Sequence, residues 1–285
     1  MHEQEWLAEQ FDTHRDHLRG VAYRLLGSTT EADDAVQEAW LRVSRNDTSD
    51  VENVGGWLTT IVSRVCLDML RSRTARREEA LDVAATVREP RADPEHETML
   101  ADSIGVALLV VLNTLAPVER TTFVLHDMFG LPFDEIARVV GRTPAATRQI
   151  ASRARRRVRG PSRVATDASR HRALIDAFLG ALRAGDLDAL LRVLDPDFVM
   201  RADASVAGTA SEVRGAEAWA KQAVAFARGL QFVHPIVVDG APGLVFAPRG
   251  RLIRALRFEI VEDRIVAVDV IGDPERLRTL ELTAP

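Results

Sequence analysis

Between Gly141 and Gly160 the sequence reads GRTPAATRQIASRARRRVRG. Arginine binds phosphate and the edge of guanine through a planar fork of donors, and here it crowds onto one short segment. Residues 138–173 hold eleven arginines against one acidic residue, Asp167, although the chain's 37 basic and 42 acidic residues give a net charge of −5. A basic block inside an acidic chain points to a polyanionic partner for that block alone. Wound as a helix, the segment puts Thr147, Ile150, Ala151, Ala154 and Val158 on one face. Arg148, Ser152, Arg155, Arg156 and Arg159 fall on the other, with Gln149 and Arg153 nearby. A small-residue inner stripe with an outer stripe of Arg, Gln and Ser suits a major groove. Residues near the N-terminus reach base edges, Arg148 toward guanine and Gln149 toward adenine, while the later arginines neutralise phosphates.

Such a helix must be held by another. FDEIARVV is predicted to bury Phe133, Ile136, Ala137 and Val140, and Gly141 permits the tight turn of a helix-turn-helix. Thr143 is placed to cap the next helix, with Pro144 at its first position. Upstream, TTEADDAVQEAWLRV repeats apolar residues at the helical period from Ala32 to Val43, and Thr29 or Thr30 is expected to cap it. Its outer face carries Asp34, Gln37 and Glu38, a polar rim suited to a protein partner. The next helix begins near GGWLTTIVSRVCLDMLRSR, with Trp57, Ile61, Val65 and Met69 at four-residue steps. It ends in Arg71, Arg73, Arg76 and Arg77, which can hold a phosphate backbone. Residues 78–98, with Pro90 and Pro94, read as a linker. From His171 helices give way to short β-rich segments between turn signals such as DGAPG and VEDR, an α+β domain.

Other chemistries find little support in the chain. The single cysteine, Cys66, excludes an internal disulfide framework and sits in an apolar run, as a buried structural thiol would. The opening MHEQEWLAEQF lacks the apolar stretch of a signal peptide, and no run approaches the ~20 apolar residues needed to span a bilayer. The expectation is a cytoplasmic protein with no membrane, metal or cofactor. The β-rich domain offers Asp203, His234 and Asp269 as bases, but the chain's one tyrosine, Tyr23, lies far upstream, and no catalytic residue is assigned. A small ligand among Phe198, Phe226, Phe232 and Phe258 is left open, plain core being the alternative.

Taken together, these motifs resemble the extracytoplasmic-function (group 4) sigma factors of bacterial RNA polymerase, over residues 6–160. DAVQEAWLRV resembles the helix of sigma domain 2 that docks on the β′ clamp helices, which implies that Asp34, Gln37 and Glu38 bind polymerase. GGWLTTIVSRVCLDMLRSRTARRE resembles the segment that opens and reads the −10 element, implying DNA contacts for Arg64, Arg71, Arg73, Arg76 and Arg77. The stretch from Leu112 to Arg159 resembles sigma domain 4, which reads the −35 element. The tail resembles the SnoaL-like domain fused to one subgroup, a ketosteroid-isomerase-like cone that is taken to regulate in cis. That subgroup's terminal motif stands here as Asp273-Pro274-Glu275-Arg276-Leu277, and its linker motif corresponds to Val87-Arg88-Glu89-Pro90 without a Trp-Leu pair. The implied architecture is a multidomain protein. Sigma domain 2 spans 1–77, a linker 78–98, sigma domain 4 99–160, both sigma domains all-α, and an α+β cone 168–285. The implied partners are RNA polymerase core and promoter DNA.

Overall fold

A computed structural model of the chain describes residues 2–44, 53–79, 105–160, 166–223 and 229–285. Most of the 78–98 linker, including Val87 to Pro90, lies outside the described residues, as do Phe226 and the Arg77 side chain. The chain divides into two compact units. One comprises the described residues through Glu79 together with Leu115–Arg156, the other Gly105–Thr114 with Arg157–Pro285.

The first unit is all helical. It contains α1 (His2–Leu26), α2 (Thr29–Val43) and α3 (Val54–Glu79). After α4 (Val106–Thr114), which belongs to the second unit, come α5 (Pro117–Phe123), a π-helical turn (Val124–Met128), α6 (Phe133–Val140) and α7 (Pro144–Arg159). Ser28, rather than Thr29 or Thr30, caps α2: its Oγ accepts the Glu31 N–H at 3.3 Å, and Thr29 is already in the helix and buried. Ala32, Ala35 and Ala39 are fully buried, and their small side chains let α2 lie close against α1 and α3. Leu18, Leu58 and Val62 complete this core. α3 also packs on α5 and α6.

The second unit carries a seven-stranded sheet in the order β2-β1-β6-β5-β4-β3-β7. In chain order the strands are β1 (Leu194–Ala202), β2 (Ser211–Arg214), β3 (Val233–Val238), β4 (Ala241–Phe246), β5 (Arg254–Val261), β6 (Arg264–Ile271) and β7 (Leu282–Thr283). Only the β1–β6 pairing is parallel. Two-residue loops close the β3–β4 and β5–β6 hairpins. Asp239-Gly240 and Glu262-Asp263 all take positive φ, as turns matching the strand twist require. Helices α8 (Thr166–Ala184), α9 (Leu187–Val193) and α11 (Ala216–Ala223) bury Phe178, Leu190 and Trp219 against Phe198, Leu244, Ile265 and Val268 of the sheet. The two short helices are α10 (Ala204–Ala207) and α12 (Pro274–Thr279). Helices on one face of a mostly antiparallel sheet make the α+β domain expected of the tail.

α4, an almost wholly apolar helix with Leu109 to Leu112 buried, packs in this unit against β3, β7 and the 3₁₀ turn Pro248–Gly250. Asn113 donates its Nδ2–H to the Gly250 carbonyl at 3.0 Å, and the Ala284 N–H donates to the Val158 carbonyl at 2.8 Å.

Candidate nucleic-acid and polymerase interfaces

The helix-turn-helix is built as its residue types require. Gly141 sits in the left-handed region, φ 68°, and closes α6, while the Arg142 N–H reaches the Ala137 carbonyl at 3.0 Å. Thr143 starts α7: its Oγ1 accepts the Ala146 N–H at 3.2 Å. Thr147, Ile150, Ala151, Ala154 and Val158 are buried, and Arg148, Gln149, Ser152, Arg153, Arg156 and Arg159 are exposed. Gln149, Ser152, Arg153 and Arg156 line one shallow concavity along the outer face. Arg155 differs from its neighbours: it is half-buried and pairs with Asp127 at 2.5 Å. Phe133, expected in the core, is only half-buried. It stacks on the His126 ring at 4.0 Å between centroids and lies under the Arg148 guanidinium at 5.7 Å.

The arginines of α3 separate by environment. Arg71 and Arg76 are exposed; Arg71 stands 3.8 Å from Asp68 and Arg76 bonds back to the Ser72 carbonyl. Arg64 is exposed and donates to the Arg138 carbonyl at 3.1 Å. Arg73 turns inward to bond Glu31 and the Leu26 carbonyl. Trp57 is half-buried. On α2, Asp34, Gln37 and Glu38 are all exposed, Glu38 pairing with Arg42 at 2.9 Å. Gln37 also borders a cleft between α1 and α2 walled by Phe11, Arg15, Arg19 and Trp40.

Two buried ionisable groups sit behind these surfaces. Cys66 is fully buried, and desolvation pushes its thiol far above the usual range, as an inert structural cysteine requires. Arg120 is 2% exposed and donates to the Arg24 carbonyl at 3.2 Å; burial, and then Arg73, push its pKa down to about 9, against the pull of Glu31. Sequence reasoning missed Arg120, because nothing in the local pattern PVERTTF distinguishes a surface arginine from a buried one.

In the second unit the three candidate bases have different surroundings. Asp203 ends β1 and caps α10. Burial alone would raise its pKa, but N–H groups of Asp273, Gly272 and Ser205, with Arg276 nearby, hold it below the usual carboxylate range. The carboxylate thereby fixes the start of the Asp273–Leu277 motif, where Asp273 caps α12 and Arg276 approaches Asp203 at 3.9 Å. Asp269 lies between Arg201 and Arg257, at 3.3 and 3.4 Å, in a row of paired charges on the exposed face of the sheet. His234 is half-buried in β3, and burial, then Arg183, lower its pKa. Phe198, Phe232 and Phe258 each meet another ring. Trp219 stacks on Phe178, Phe258 meets Phe178 edge-on, and Phe198 tilts against Trp219. Phe232 is 36% exposed at the rim. Among the described residues no cluster of His, Cys, Asp and Glu could hold a metal, and no helix is long and apolar enough to cross a membrane.

Comparison with known proteins identifies the two helical regions. Sigma-70 region 2 matches residues 10–76, and Sigma-70, region 4 matches residues 105–158. The probable ECF RNA polymerase sigma factor SigI of Mycobacterium tuberculosis is 41% identical over 197 residues, 67% of this chain and 68% of that protein. The chain belongs to the ECF RNA polymerase sigma factors. The ECF sigma factor SigJ of the same species is also 41% identical, over 204 residues, 69% of this chain and 64% of its own. A crystal structure of SigJ aligns with 95% of this sigma factor at 29% identity and a TM-score of 0.44. As a sigma factor, the protein directs RNA polymerase core to promoter DNA and initiates transcription.

Proposed function

We propose that this sigma factor divides promoter recognition and polymerase docking among three surfaces and is regulated in cis by its C-terminal domain. α7 reads the −35 element: Arg148 and Gln149 address base edges, and Ser152, Arg153, Arg156 and Arg159 follow the phosphates. Arg155, paired with Asp127, orders the helix from behind and adds a secondary phosphate contact. Arg64, Arg71 and Arg76, with Arg73 and Arg77, serve the −10 element, and Asp34, Gln37 and Glu38 dock on the β′ clamp helices. The observation that carries this reading is the one-sidedness of α7, a buried stripe of small residues backing an exposed stripe of Arg, Gln and Ser.

Regulation in cis is supported by chain topology. The region 4 match, residues 105–158, contributes α4 and the last turn of α7 to the unit that holds the C-terminal sheet, through the Asn113–Gly250 and Ala284–Val158 hydrogen bonds. A domain that holds both ends of region 4 biases its arrangement without making a covalent bond. On this reading the C-terminal domain works as a regulator rather than an enzyme. Its carboxylates Asp203 and Asp269 are engaged in structural pairing, and the terminal motif is anchored by Asp203. The reading places the protein in the cytoplasm, where RNA polymerase and the chromosome are.

The test is co-purification with core polymerase and promoter-dependent transcription. Replacing Asp34 and Glu38 by arginine is expected to abolish both while leaving helicity unchanged. A variant that still transcribes at wild-type strength would show that this face is not the docking surface.

A further inference from the structure

The recognition helix begins beside an aromatic stack that its function does not yet explain. His126 leaves the α5 helix on a π-helical turn, which changes the register of the side chains it presents. Its Nδ1 lies 2.9 Å from the Leu131 carbonyl; a carbonyl only accepts, so Nδ1 carries the proton and the ring is fixed in one orientation. Phe133, from the first turn of α6, stacks on that ring at 4.0 Å with 25° between the planes. The Arg148 guanidinium lies over the phenyl ring, 5.7 Å from its centroid, while the side chain as a whole remains exposed. The three groups come from three elements: two half-buried rings and, beyond them, the exposed arginine.

A free arginine samples many rotamers, and ordering it on DNA costs side-chain entropy. The cation–π contact restrains the guanidinium, while the exposed side chain keeps its N–H edge open. That edge is what a guanine N7 and O6 engage.

We propose that Phe133, supported by His126, is a positioning residue that pre-orients Arg148 for reading one base pair of the −35 element. The ring touches no DNA in this scheme and acts through the arginine, so it tunes sequence discrimination rather than overall affinity. The proposal rests on the assignment of α7 to −35 reading, and its test separates the two.

Full-length protein bound to core polymerase is used to select from a duplex pool randomised over the −35 region, and base preference is scored at each position. Wild type is compared with Arg148→Ala, Phe133→Leu and Phe133→Tyr. Arg148→Ala is expected to flatten the preference at one position. Phe133→Leu, which keeps apolar bulk but loses the ring face, is expected to lower the preference at that same position by about two- to fivefold. That is the equivalent of a cation–π contact of about 0.5–1 kcal/mol. Phe133→Tyr is expected to retain it. If Arg148→Ala flattens one position and Phe133→Leu leaves it intact, or weakens all positions alike, the positioning role is overturned and the reading by Arg148 stands. If Arg148→Ala changes no position, both fall together. Should Phe133→Leu fail to fold, His126→Gln keeps a donor for the Leu131 carbonyl and removes the supporting ring. A smaller loss at the same position is expected from it, and no change there overturns the proposal.

Discussion

At the scale of single residues, the arginines of α7 are not equivalent, although the sequence presents them as one cluster. Arg156 is exposed, while Arg155 already neutralises Asp127, whose side chain is only 18% exposed. A phosphate contact made by Arg156 is a new ion pair; one made by Arg155 competes with an existing pair. Arg156→Ala is expected to weaken binding to all duplexes alike and to reduce the slope of log affinity against log salt by about one. Arg155→Ala is expected to change that slope by less and to lower thermal stability instead. Fluorescence binding titrations across a salt series, with melting curves of the free proteins, check both. His234 provides a pH-dependent counterpart. Burial and Arg183 hold its folded pKa below the usual value of about 6.5, so the unfolded chain takes up the proton first. Its contribution to stability is full above pH ~6.5 and is lost as the pH falls toward the folded pKa. Wild type should therefore lose more stability than His234→Gln between pH 7 and pH 5 in urea unfolding. Parallel losses would mean that another group carries the acid sensitivity.

At the scale of elements, the junction of α2, α3 and α5 is rich in buried polar groups. Thr59 and Ser63 of α3 and Arg120, Thr121 and Thr122 of α5 are all buried. Glu31 supplies the negative charge there, bonded to Arg73 and acting on Arg120. Removing one partner of such a group leaves the other charge uncompensated, but losing Arg120 also relieves its repulsion with Arg73. Glu31→Gln is accordingly expected to destabilise the protein by about 1–2 kcal/mol, discounted because the Glu31 side chain is 37% exposed. Arg120→Met is expected to cost less than Glu31→Gln. Equilibrium denaturation of both variants decides the order, and the reverse order would show that Arg120 rather than Glu31 holds the junction.

At the scale of the whole molecule, the arrangement of the second unit changes what a truncation does. Cutting after residue 167 removes the sheet that covers α4 and exposes Leu109 to Leu112 along with it. The 1–167 protein is therefore expected to transcribe more strongly if monomeric and to aggregate more readily than full length. Cutting after residue 271 removes the Asp273–Leu277 motif and β7, with its Ala284–Val158 bond, but leaves β1 to β6. That protein is expected to be impaired, because the motif that Asp203 anchors is lost while most of the covering sheet remains. In vitro transcription by full-length, 1–271 and 1–167 proteins at equal concentration, with size-exclusion profiles, separates the cases. Equal transcript yields from all three would remove the basis for regulation in cis.

Much of this was legible in the chain. The helix-turn-helix, the Thr143 cap and the buried stripe from Thr147 to Val158 follow from a local period and from residues whose backbone preferences act within a few positions. β1, β3, β4, β5 and β6 were legible as short β-rich segments separated by turn residues. β2 and β7 were not: Ser211–Arg214 is short and polar and Leu282–Thr283 only two residues long, so each is a strand only because a neighbour offers its backbone. The family was legible from the order and spacing of its motifs. The assignment of α4 to the second unit, the inward turn of Arg73, the burial of Arg120 and the stack under Arg148 were decided by tertiary structure alone. Each joins residues dozens of positions apart or separated by a turn, and depends on which surface a side chain meets. Charge and hydropathy along the chain specify which residues need a partner, and only packing in three dimensions selects it.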